Sequence, residues 1–501
     1  MLFLALGFLA RLFGLGSKPF WLDEVTTVHR SSLPFGELLR DSLSFHHMPL
    51  YFVLTSWVVP WGTDEFVLRL PAALFGAVSC ALLWRVGLVF AGPVCGAVAA
   101  ILCCFSPFQV QYGQEARSYT LVLCFILLAL DGLMCLSRSP AEAAAPFRRS
   151  SVRGAWLRYG FGSAAALDTL GVALFWLLAA NLAAALIAAT VPGPGRAGFI
   201  RRWIVVQLLV IGCYVPFLVA MTLLTRGDLG SGLDWVPPLG WDNLRTSVVG
   251  VYGLRITSLI RFRVFPSALA VDGIDWLDLL VAAAGLVGIL AGSWRDRAGR
   301  VALVALLTLP VCLGLSTLVS SVWMPRYLLW SGPVFLLFVG RGAAMLARRI
   351  PAPGRRWVLP PGGVVLAAVC VFNLWPFYRT ETKPVWNDAA AWLRPQFRPG
   401  DLIVTDDPAT VSMMDLYLPA NGFAPRDWTK DPALAAQTLA AGGRVWAVHG
   451  AVGQNDPYRL DALLALLRPL GAPAVRHRIG LDITVLRLDP PGPAGGARPG
   501  G

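Results

Sequence analysis

Long apolar runs alternate with short polar segments over the first 375 residues of this 501-residue chain. A helix needs about 20 apolar residues to cross the hydrocarbon core of a bilayer, and runs near that length recur here. The pattern therefore predicts a polytopic α-helical membrane protein with about eleven transmembrane helices. The predicted spans are 1–16, 70–90, 93–109, 117–137, 161–175, 177–191, 203–224, 276–293, 301–320, 327–347 and 357–375.

The positions of the arginines decide two segments whose lengths are ambiguous. Residues 49–61 are apolar but too short for a span, so we expect an interfacial or re-entrant helix there. Residues 161–191 are interrupted at 168–171 and are expected to form two short helices joined by a turn. With a cytoplasmic N-terminus, this arrangement places the arginine clusters on the cytoplasmic side, as the positive-inside rule requires. The odd number of spans then places the C-terminus outside.

The predicted outer side holds three loops, the turn near 168–171 and a C-terminal domain. The loops are 17–69, 109–119 and 225–275. After the transmembrane domain (1–375), residues 376–489 are expected to form a small extracytoplasmic α/β domain, because strand patterns alternate with helical ones. Strands are predicted at 402–405, 444–448 and 483–488, and helices at 385–397 and 458–470. Residues 490–501 are rich in Pro and Gly and are expected to be disordered.

The composition agrees with a membrane protein and limits the classes of binding partner that we expect. Apolar residues make up 56% of the chain and charged residues only 14%, whereas soluble domains are about a quarter charged. The net charge of +13 would suit a nucleic-acid partner, but the arginines lie between apolar runs. We therefore expect contact with membrane lipid and no nucleic acid. All nine cysteines lie in apolar runs, so neither a disulfide nor a cysteine metal cluster is expected.

Two adjacent carboxyl groups, Asp23 and Glu24, follow the first apolar run directly. In one interpretation they only mark a helix end among the lipid headgroups. In the other, one of them acts as a general base in a partly desolvated outer cavity, where burial increases the basicity of a carboxylate.

Three of the arginines on the predicted outer side lie at the start of a predicted span, against the positive-inside trend. Arg117, Arg326 and Arg69 each come just before or at the start of a predicted span. A guanidinium can hold a lipid phosphate through two parallel hydrogen bonds, so these are candidate phosphate-binding residues. The alternative is that they reach lipid headgroups without any catalytic role. Arg11 lies within the first span, and a cation there is normally paired or functional.

Several other outer residues are candidates for lining a cavity. His47 is one of five histidines and is a candidate contact for phosphate or sugar; the alternative is a structural histidine. For the remaining candidates, ordinary packing at the membrane interface is the alternative. They are Tyr51, Tyr112, Gln114, Tyr119 and Tyr327.

Five short motifs on the predicted outer side resemble those of the GT-C membrane glycosyltransferases. In chain order they are WLDE (21–24), HMPLY (47–51), LRLPAALFG (68–76), SPFQVQYGQEARSY (106–119) and PRY (325–327). Within that class the sequence is similar to bacterial relatives of the dolichyl-phosphate-mannose protein mannosyltransferases and of the lipid A aminoarabinose transferase. The chain departs from the family pattern at Met48, where a proline is usual, and at Asp168-Thr169, where His-Tyr or His-Phe is usual.

The resemblance implies a GT-C fold and a transferase of the bacterial plasma membrane that acts in cell-envelope synthesis. A hexose or pentose would pass from a polyprenyl-phosphate donor to an acceptor lipid, polysaccharide or protein at the outer face. The lipid-linked sugar is a substrate; no cofactor is certain, and a divalent cation is left open. A nucleotide-sugar donor is not expected, because the chain has no Gly-rich phosphate loop in a strand-turn-helix context.

The resemblance also assigns roles to the acids. Asp23 matches the catalytic base, Glu24 adjoins it, and Glu115 matches the second-loop acid. A base acting opposite the leaving phosphate gives a single displacement with inversion. Glu115 has three open roles: orienting the acceptor, binding a metal, or pairing with Arg117.

Two other function classes remain open. A membrane transporter or lipid flippase of cell-envelope precursors would place ionisable groups near the bilayer midplane, in broken helices. A binding or assembly protein would tolerate replacement of Asp23 but not changes in its C-terminal domain.

Overall fold

The computed structural model describes residues 1–138, 150–226, 236, 238–258, 263–292, 294–405, 407–418, 426–427, 433–450 and 457–490. The chain forms two compact units. The first comprises Met1–Gly16, Thr27–Thr257 and Phe262–Arg379, and the second comprises Ser17–Thr26, Ser258–Arg261 and Thr380–Gly501, as far as these are described. The second unit thus includes two short segments from the loops 17–69 and 225–275.

Helices dominate the chain up to residue 378. They are α1 (Leu2–Leu12), α2 (Leu22–Ser31), α3 (Phe35–Ser44), α4 (Leu50–Ser56), α5 (Glu65–Ala91), α6 (Pro93–Phe105), α7 (Pro107–Gly113), α8 (Tyr119–Arg138), α9 (Ser150–Leu167), α10 (Leu174–Thr190), α11 (Gly193–Leu224), α12 (Trp241–Ser247), α13 (Trp276–Leu290), α14 (Arg297–Ser316), α15 (Ser331–Arg348) and α16 (Ala352–Leu374). Short 3₁₀ or π turns occupy Val59–Trp61, Gly171–Ala173, Val248–Tyr252, Pro325–Leu328 and Trp375–Tyr378. A small hairpin pairs β1 (Ala270–Val271) with β2 (Ile274–Asp275).

Every predicted span overlaps one of these helices, but the predicted number of spans is not confirmed. Within the described residues, six helices are long and apolar enough to cross a membrane. The number rises to seven if the bent pair α6 and α7, which meet at 60°, counts as one span. Helix α1, the segment Leu50–Trp61 and helix α13 are apolar but shorter. The helical membrane class therefore stands, and the threading of eleven spans remains a proposal.

The expected interruption of the run 161–191 is present. Helix α9 ends at Leu167, a 3₁₀ turn covers Gly171–Ala173, and α10 begins at Leu174. The apolar run 49–61 forms only the seven-residue helix α4 and a 3₁₀ turn, in agreement with its short predicted helix.

Small residues let the helices of the first unit approach closely. A side chain at Gly162 of α9 would put its Cβ 2.6 Å from the carbonyl oxygen of Phe125 on α8. Close approach of this kind is typical of helices that associate within a membrane. The same pair of helices holds the fully buried Asp131, whose carboxylate pairs with Arg85 at 3.0 Å and with Arg158 at 2.6 Å. This arrangement neutralises a buried carboxylate and ties α8 to α5 and α9.

The second unit is built on a five-stranded mixed sheet. Its strands are β3 (Leu402–Thr405), β4 (Arg426–Asp427), β5 (Val445–Gly450), β6 (Val475–Ile479) and β7 (Ile483–Leu488), in the spatial order β4-β3-β5-β7-β6. Strand β3 pairs parallel with β4 and β5, while β7 pairs antiparallel with β5 and β6. Its helices are α17 (Trp386–Leu393), α18 (Pro408–Tyr417), α19 (Ala433–Ala440) and α20 (Pro457–Leu467). Two apolar clusters form the core of this unit.

The three predicted strands and two predicted helices of this unit are confirmed within a few residues. Strand β6 was not predicted, because Arg476, His477 and Arg478 hide its alternation; both arginines are exposed on an edge strand. The predicted disorder at 490–501 falls, except for residue 490, outside the described residues.

Candidate active site

The segment with the candidate base, Ser17–Thr26, is part of the second unit. Leu22 and Val25 pack against the apolar cluster that contains Trp386 and Ile483. The backbone N–H of Phe20 donates a hydrogen bond to the hydroxyl of Tyr417. Apolar packing and backbone bonding therefore hold this segment on the unit from both sides of the acidic pair.

Asp23 and Glu24 have different environments although they are adjacent. Both lie in the first turn of α2, where the positive end of the helix dipole favours acids. Glu24 is fully buried, and its Oε2 lies 2.8 Å from Nζ of Lys383. Asp23 is only partly buried. Since successive helical residues point about 100° apart, the carboxyl group of Glu24 is enclosed by the protein while that of Asp23 stays partly exposed.

Arg11 has a clear structural environment in the first unit. Its guanidinium donates to the carbonyl oxygen of Gly7 at 2.9 Å, and to three carbonyls around the junction of α6 and α7. Those three belong to Cys103, Cys104 and Gln109, at 3.3–3.4 Å. A cation suits the negative end of the α6 dipole, so Arg11 stabilises the bend between α6 and α7.

The block 106–119 contacts α1 through Gln114, one of the predicted cavity residues. Its amide nitrogen donates to the carbonyls of Arg11 and Phe13, at 2.9 and 2.7 Å. Tyr112 is buried and packs edge-to-face with the rings of Phe108 and Tyr119. These contacts fix the loop that follows α7.

That loop carries two buried charges, Glu115 and Arg117. Glu115 is fully buried and Arg117 is 7% exposed. The backbone N–H of Arg117 donates to the carbonyl oxygen of Glu115 at 2.7 Å, so the chain turns tightly between them.

Arg30 is a buried cation that sequence reasoning missed. It lies near the end of α2, is 3% exposed and is ion-paired with Asp41 of α3. Burial lowers the pKa of its guanidinium, the Asp41 pair opposes this, and the nearby positive charge of Arg117 lowers it further. Two buried guanidiniums are therefore held close enough to repel each other. Nη1 of Arg30 is buried and makes no hydrogen bond with any residue that the structure describes.

Aromatic rings connect Arg30 to the HMPLY motif. The guanidinium lies over the ring of Phe52, with its carbon 5.1 Å from the ring centroid. The rings of His47 and Tyr51 meet the same phenylalanine edge-on, at 6.0 and 6.2 Å. Tyr51 is buried and His47 partly buried. The structure thus brings His47, Tyr51, Arg30 and Arg117 into one region of the first unit.

The turn between α9 and α10 also joins this region. The carbonyl oxygen of Asp168 accepts a hydrogen bond from the N–H of Leu50, at 3.2 Å. Burial raises the pKa of the Asp168 carboxyl to about 6.

The remaining two arginines contact other parts of the first unit. Arg326 lies in the 3₁₀ turn Pro325–Leu328 and is buried; Tyr327 is partly buried. The side chain of Gln109 connects this turn to the block 106–119, donating to the carbonyl of Leu329 at 3.2 Å. Arg69 on α5 is buried and donates to the carbonyl of Leu15 at 2.9 Å.

Among the described residues, no group of three or more His, Cys, Asp or Glu side chains is placed to hold a metal ion.

No protein-family model matches this sequence, and a comparison with curated proteins gives no match. Solved structures do match. ArnT from Cupriavidus metallidurans in the apo state shares 13% identity, with a TM-score of 0.60 over 97% of both chains. ArnT bound to undecaprenyl phosphate shares 14% identity, with a TM-score of 0.53 over the same proportions.

A second similar protein is the apo oligosaccharyltransferase of Archaeoglobus fulgidus. It shares 11% identity with a TM-score of 0.52, over 89% of this chain and 69% of that one. Both similar proteins are GT-C glycosyltransferases, so the fold that the sequence resemblance implies is confirmed.

Proposed function

We propose that this chain is a membrane glycosyltransferase that moves a monosaccharide from a polyprenyl-phosphate donor to an acceptor. The observation that carries the proposal is the buried guanidinium of Arg30, which lies over the ring of Phe52 next to the HMPLY motif, with the positive charge of buried Arg117 close enough to lower its pKa. In a low-dielectric region an anion between two such groups removes their repulsion and gains charge-assisted hydrogen bonds. A lipid-linked phosphate is an anion of the right geometry for guanidinium. The shared fold with ArnT, one structure of which holds undecaprenyl phosphate, supports this donor class.

Asp23 is the general base in this proposal. Its carboxylate takes the proton from the acceptor O–H or N–H, and the acceptor atom forms a bond to the anomeric carbon. The bond between that carbon and the phosphate oxygen breaks, and its electron pair leaves on the polyprenyl phosphate. A single displacement of this kind inverts the anomeric configuration. Glu24 takes no part in the proton transfer, because it is buried and paired with Lys383.

The guanidiniums stabilise the charge that develops on the leaving phosphate. We assign this role to Arg117 and Arg30 because they lie near each other. We assign Arg326, Arg69 and His47 to the same donor-binding region because they belong to the motifs that resemble those of the GT-C family. Tyr51, Tyr112 and Tyr327 are assigned to the walls of the cavity. Glu115 is assigned to orienting Arg117, because both side chains are buried in one short loop.

We place the enzyme in the bacterial plasma membrane with a cytoplasmic N-terminus, about eleven spans and an extracytoplasmic C-terminus. The arginine distribution supports this threading through the positive-inside rule. The base, the loops 17–69, 109–119 and 225–275, and the domain 376–489 then share the outer side. A sugar attached to a polyprenyl phosphate on that side needs no nucleotide donor.

The proposal is tested with purified protein in nanodiscs and a panel of undecaprenyl-phosphate hexoses and pentoses. A bacterial membrane extract supplies acceptors. We expect protein-dependent release of undecaprenyl phosphate together with transfer of the labelled sugar to an acceptor, with inverted configuration. If the intact sugar-lipid instead crosses the bilayer of a proteoliposome without being cleaved, the chain is a flippase and the enzyme proposal is wrong.

A further inference from the structure

Lys383 is a buried lysine whose role the transfer chemistry does not explain. It lies in the short segment between the turn at Trp375–Tyr378 and helix α17, and it is 4% exposed. Burial of an ammonium is costly unless a carboxylate and hydrogen bonds compensate it. Here its Nζ lies 2.8 Å from Oε2 of Glu24, and both side chains are almost completely buried.

The same carboxylate organises the start of helix α2. Glu24 Oε2 also accepts from the backbone N–H of Trp21, at 3.4 Å. Trp21 is the residue before the helix and Glu24 is its third residue, so this contact is one half of a capping box. Asp23 lies between the two, in the turn that the contact closes. The orientation of Asp23 therefore depends on where the carboxylate of Glu24 is held.

A second lysine fixes the same two stretches of chain to each other. Nζ of Lys18 donates to Oγ1 of Thr382 at 3.0 Å, one residue before Lys383. Two lysine contacts thus join residues 18–24 to residues 382–383. One lysine belongs to the first segment and the other to the second. All of these atoms belong to the second unit.

We propose that Lys383 is a positioning residue of the transfer reaction: it holds Glu24, and through Glu24 the first turn of α2, so that Asp23 is correctly oriented. The inference rests on the proposed function, because it assumes that Asp23 is the base. It makes the C-terminal part of the chain a structural component of the catalytic machinery and not a separable accessory domain.

The test compares Lys383→Met, Lys383→Arg and the double variant Glu24→Gln/Lys383→Met with the wild type. Arg476→Met is the matched control, since Arg476 is an exposed cation of the same unit. We expect kcat of Lys383→Met to fall about 100-fold, the cost of a misplaced catalytic group. KM for the lipid donor should change by less than about threefold, since donor contacts are kept. Lys383→Arg keeps the charge and should recover most of kcat. The kcat of the double variant should be higher than that of Lys383→Met.

Hydrogen–deuterium exchange supplies a readout that does not depend on turnover. Amides of residues 20–26 should exchange faster in Lys383→Met than in the wild type. Amides of strands β3, β5 and β7 should stay protected, which separates a local effect from unfolding of the unit. If those strands lose protection in Lys383→Met, that variant is unfolded, and the kcat values of Lys383→Arg and the double variant are compared with the wild type instead.

Wild-type kcat in Lys383→Met, with residues 20–26 still protected, would overturn the inference. So would a loss of kcat in Lys383→Met that Lys383→Arg and the double variant both fail to recover. The proposed function fails in a different way, through wild-type turnover of Asp23→Asn or the absence of any transfer by the wild type. Each failure is therefore recognisable from its own variant.

Discussion

At the scale of single residues, the surroundings of Arg30 favour a bound anion. Its guanidinium is buried, lies over the ring of Phe52, and is repelled by Arg117. Asp41 compensates one of the two positive charges. In the proposed site, a phosphate bound between the two guanidiniums would remove the repulsion between them.

We expect Arg30→Gln to weaken donor use. The loss of hydrogen bonds to a charged phosphate should lower kcat/KM for the lipid donor about 10- to 100-fold. Steady-state kinetics over a range of donor concentrations measure this change, which should appear mainly in KM.

The matched control is Asp41→Asn, which removes the ion pair but keeps the guanidinium. It should change kcat/KM far less than Arg30→Gln does. Equal losses in the two variants would mean that the Arg30–Asp41 pair only supports the fold.

Individual roles in this site were only partly predictable, because the deciding contacts are distant in sequence. The sequence singles out Asp23 and Glu24 together, but Lys383, the partner of Glu24, lies 359 residues further along the chain. Arg11 was expected to be paired or functional, and it is paired with backbone carbonyls around the end of α6, which no residue type indicates. Arg30 was missed because an arginine at a helix end is ordinary until its burial is known.

At the scale of elements, the bend between α6 and α7 depends on close packing around Arg11. Gly76 of α5 and Gly113 of α7 both leave space for the Arg11 side chain. A Cβ at Gly113 would lie 2.6 Å from Arg11 Nε and 2.7 Å from its Cδ. Neither atom can move far, since the guanidinium is held by four carbonyl oxygens.

Gly113→Ala should therefore destabilise the first unit by about 1–3 kcal/mol, the usual cost of overpacking. Thermal unfolding in detergent, followed by a thiol-reactive dye that reports buried cysteines, measures the loss.

Gly212→Ala is the control for this substitution. Gly212 lies in α11, and an added Cβ there meets no atom within 4 Å. It should leave the unfolding temperature unchanged or raise it slightly, because Ala favours helix more than Gly. Equal unfolding temperatures for the two variants would contradict the packing argument.

Secondary-structure elements were more predictable from the sequence than the roles of single residues, and the physical reasons differ along the chain. Apolar periodicity located a helix in every predicted span, and Asp168 and Gly171 marked the break between α9 and α10. Strand β6 was not predicted, because this exposed edge strand carries charged residues at alternate positions. The bend after Phe105 was not predicted, because one helix ends and the next begins at Ser106–Pro107 without an intervening polar segment.

At the scale of the whole molecule, the proposed threading makes the first loop external and the connection before α14 cytoplasmic. Glu37 in the first loop and Arg295 before α14 are both exposed, so a cysteine at either is accessible to a reagent. Cys213, the exposed native cysteine among the described residues, is first replaced by serine.

In intact cells, a membrane-impermeant maleimide should label Glu37→Cys and not Arg295→Cys. After permeabilisation both should react. Labelling of both positions, or of Arg295→Cys alone, in intact cells would contradict the threading and with it the external active site.

The proposed transfer mechanism depends on proton removal by Asp23. The most direct measurement is single-turnover sugar transfer from the best undecaprenyl-phosphate donor by wild type and Asp23→Asn, each checked for folding. A general base contributes about 10²- to 10⁴-fold to the rate, and the variant should lose that factor while still binding the donor. Transfer by Asp23→Asn at the wild-type rate would contradict the mechanism.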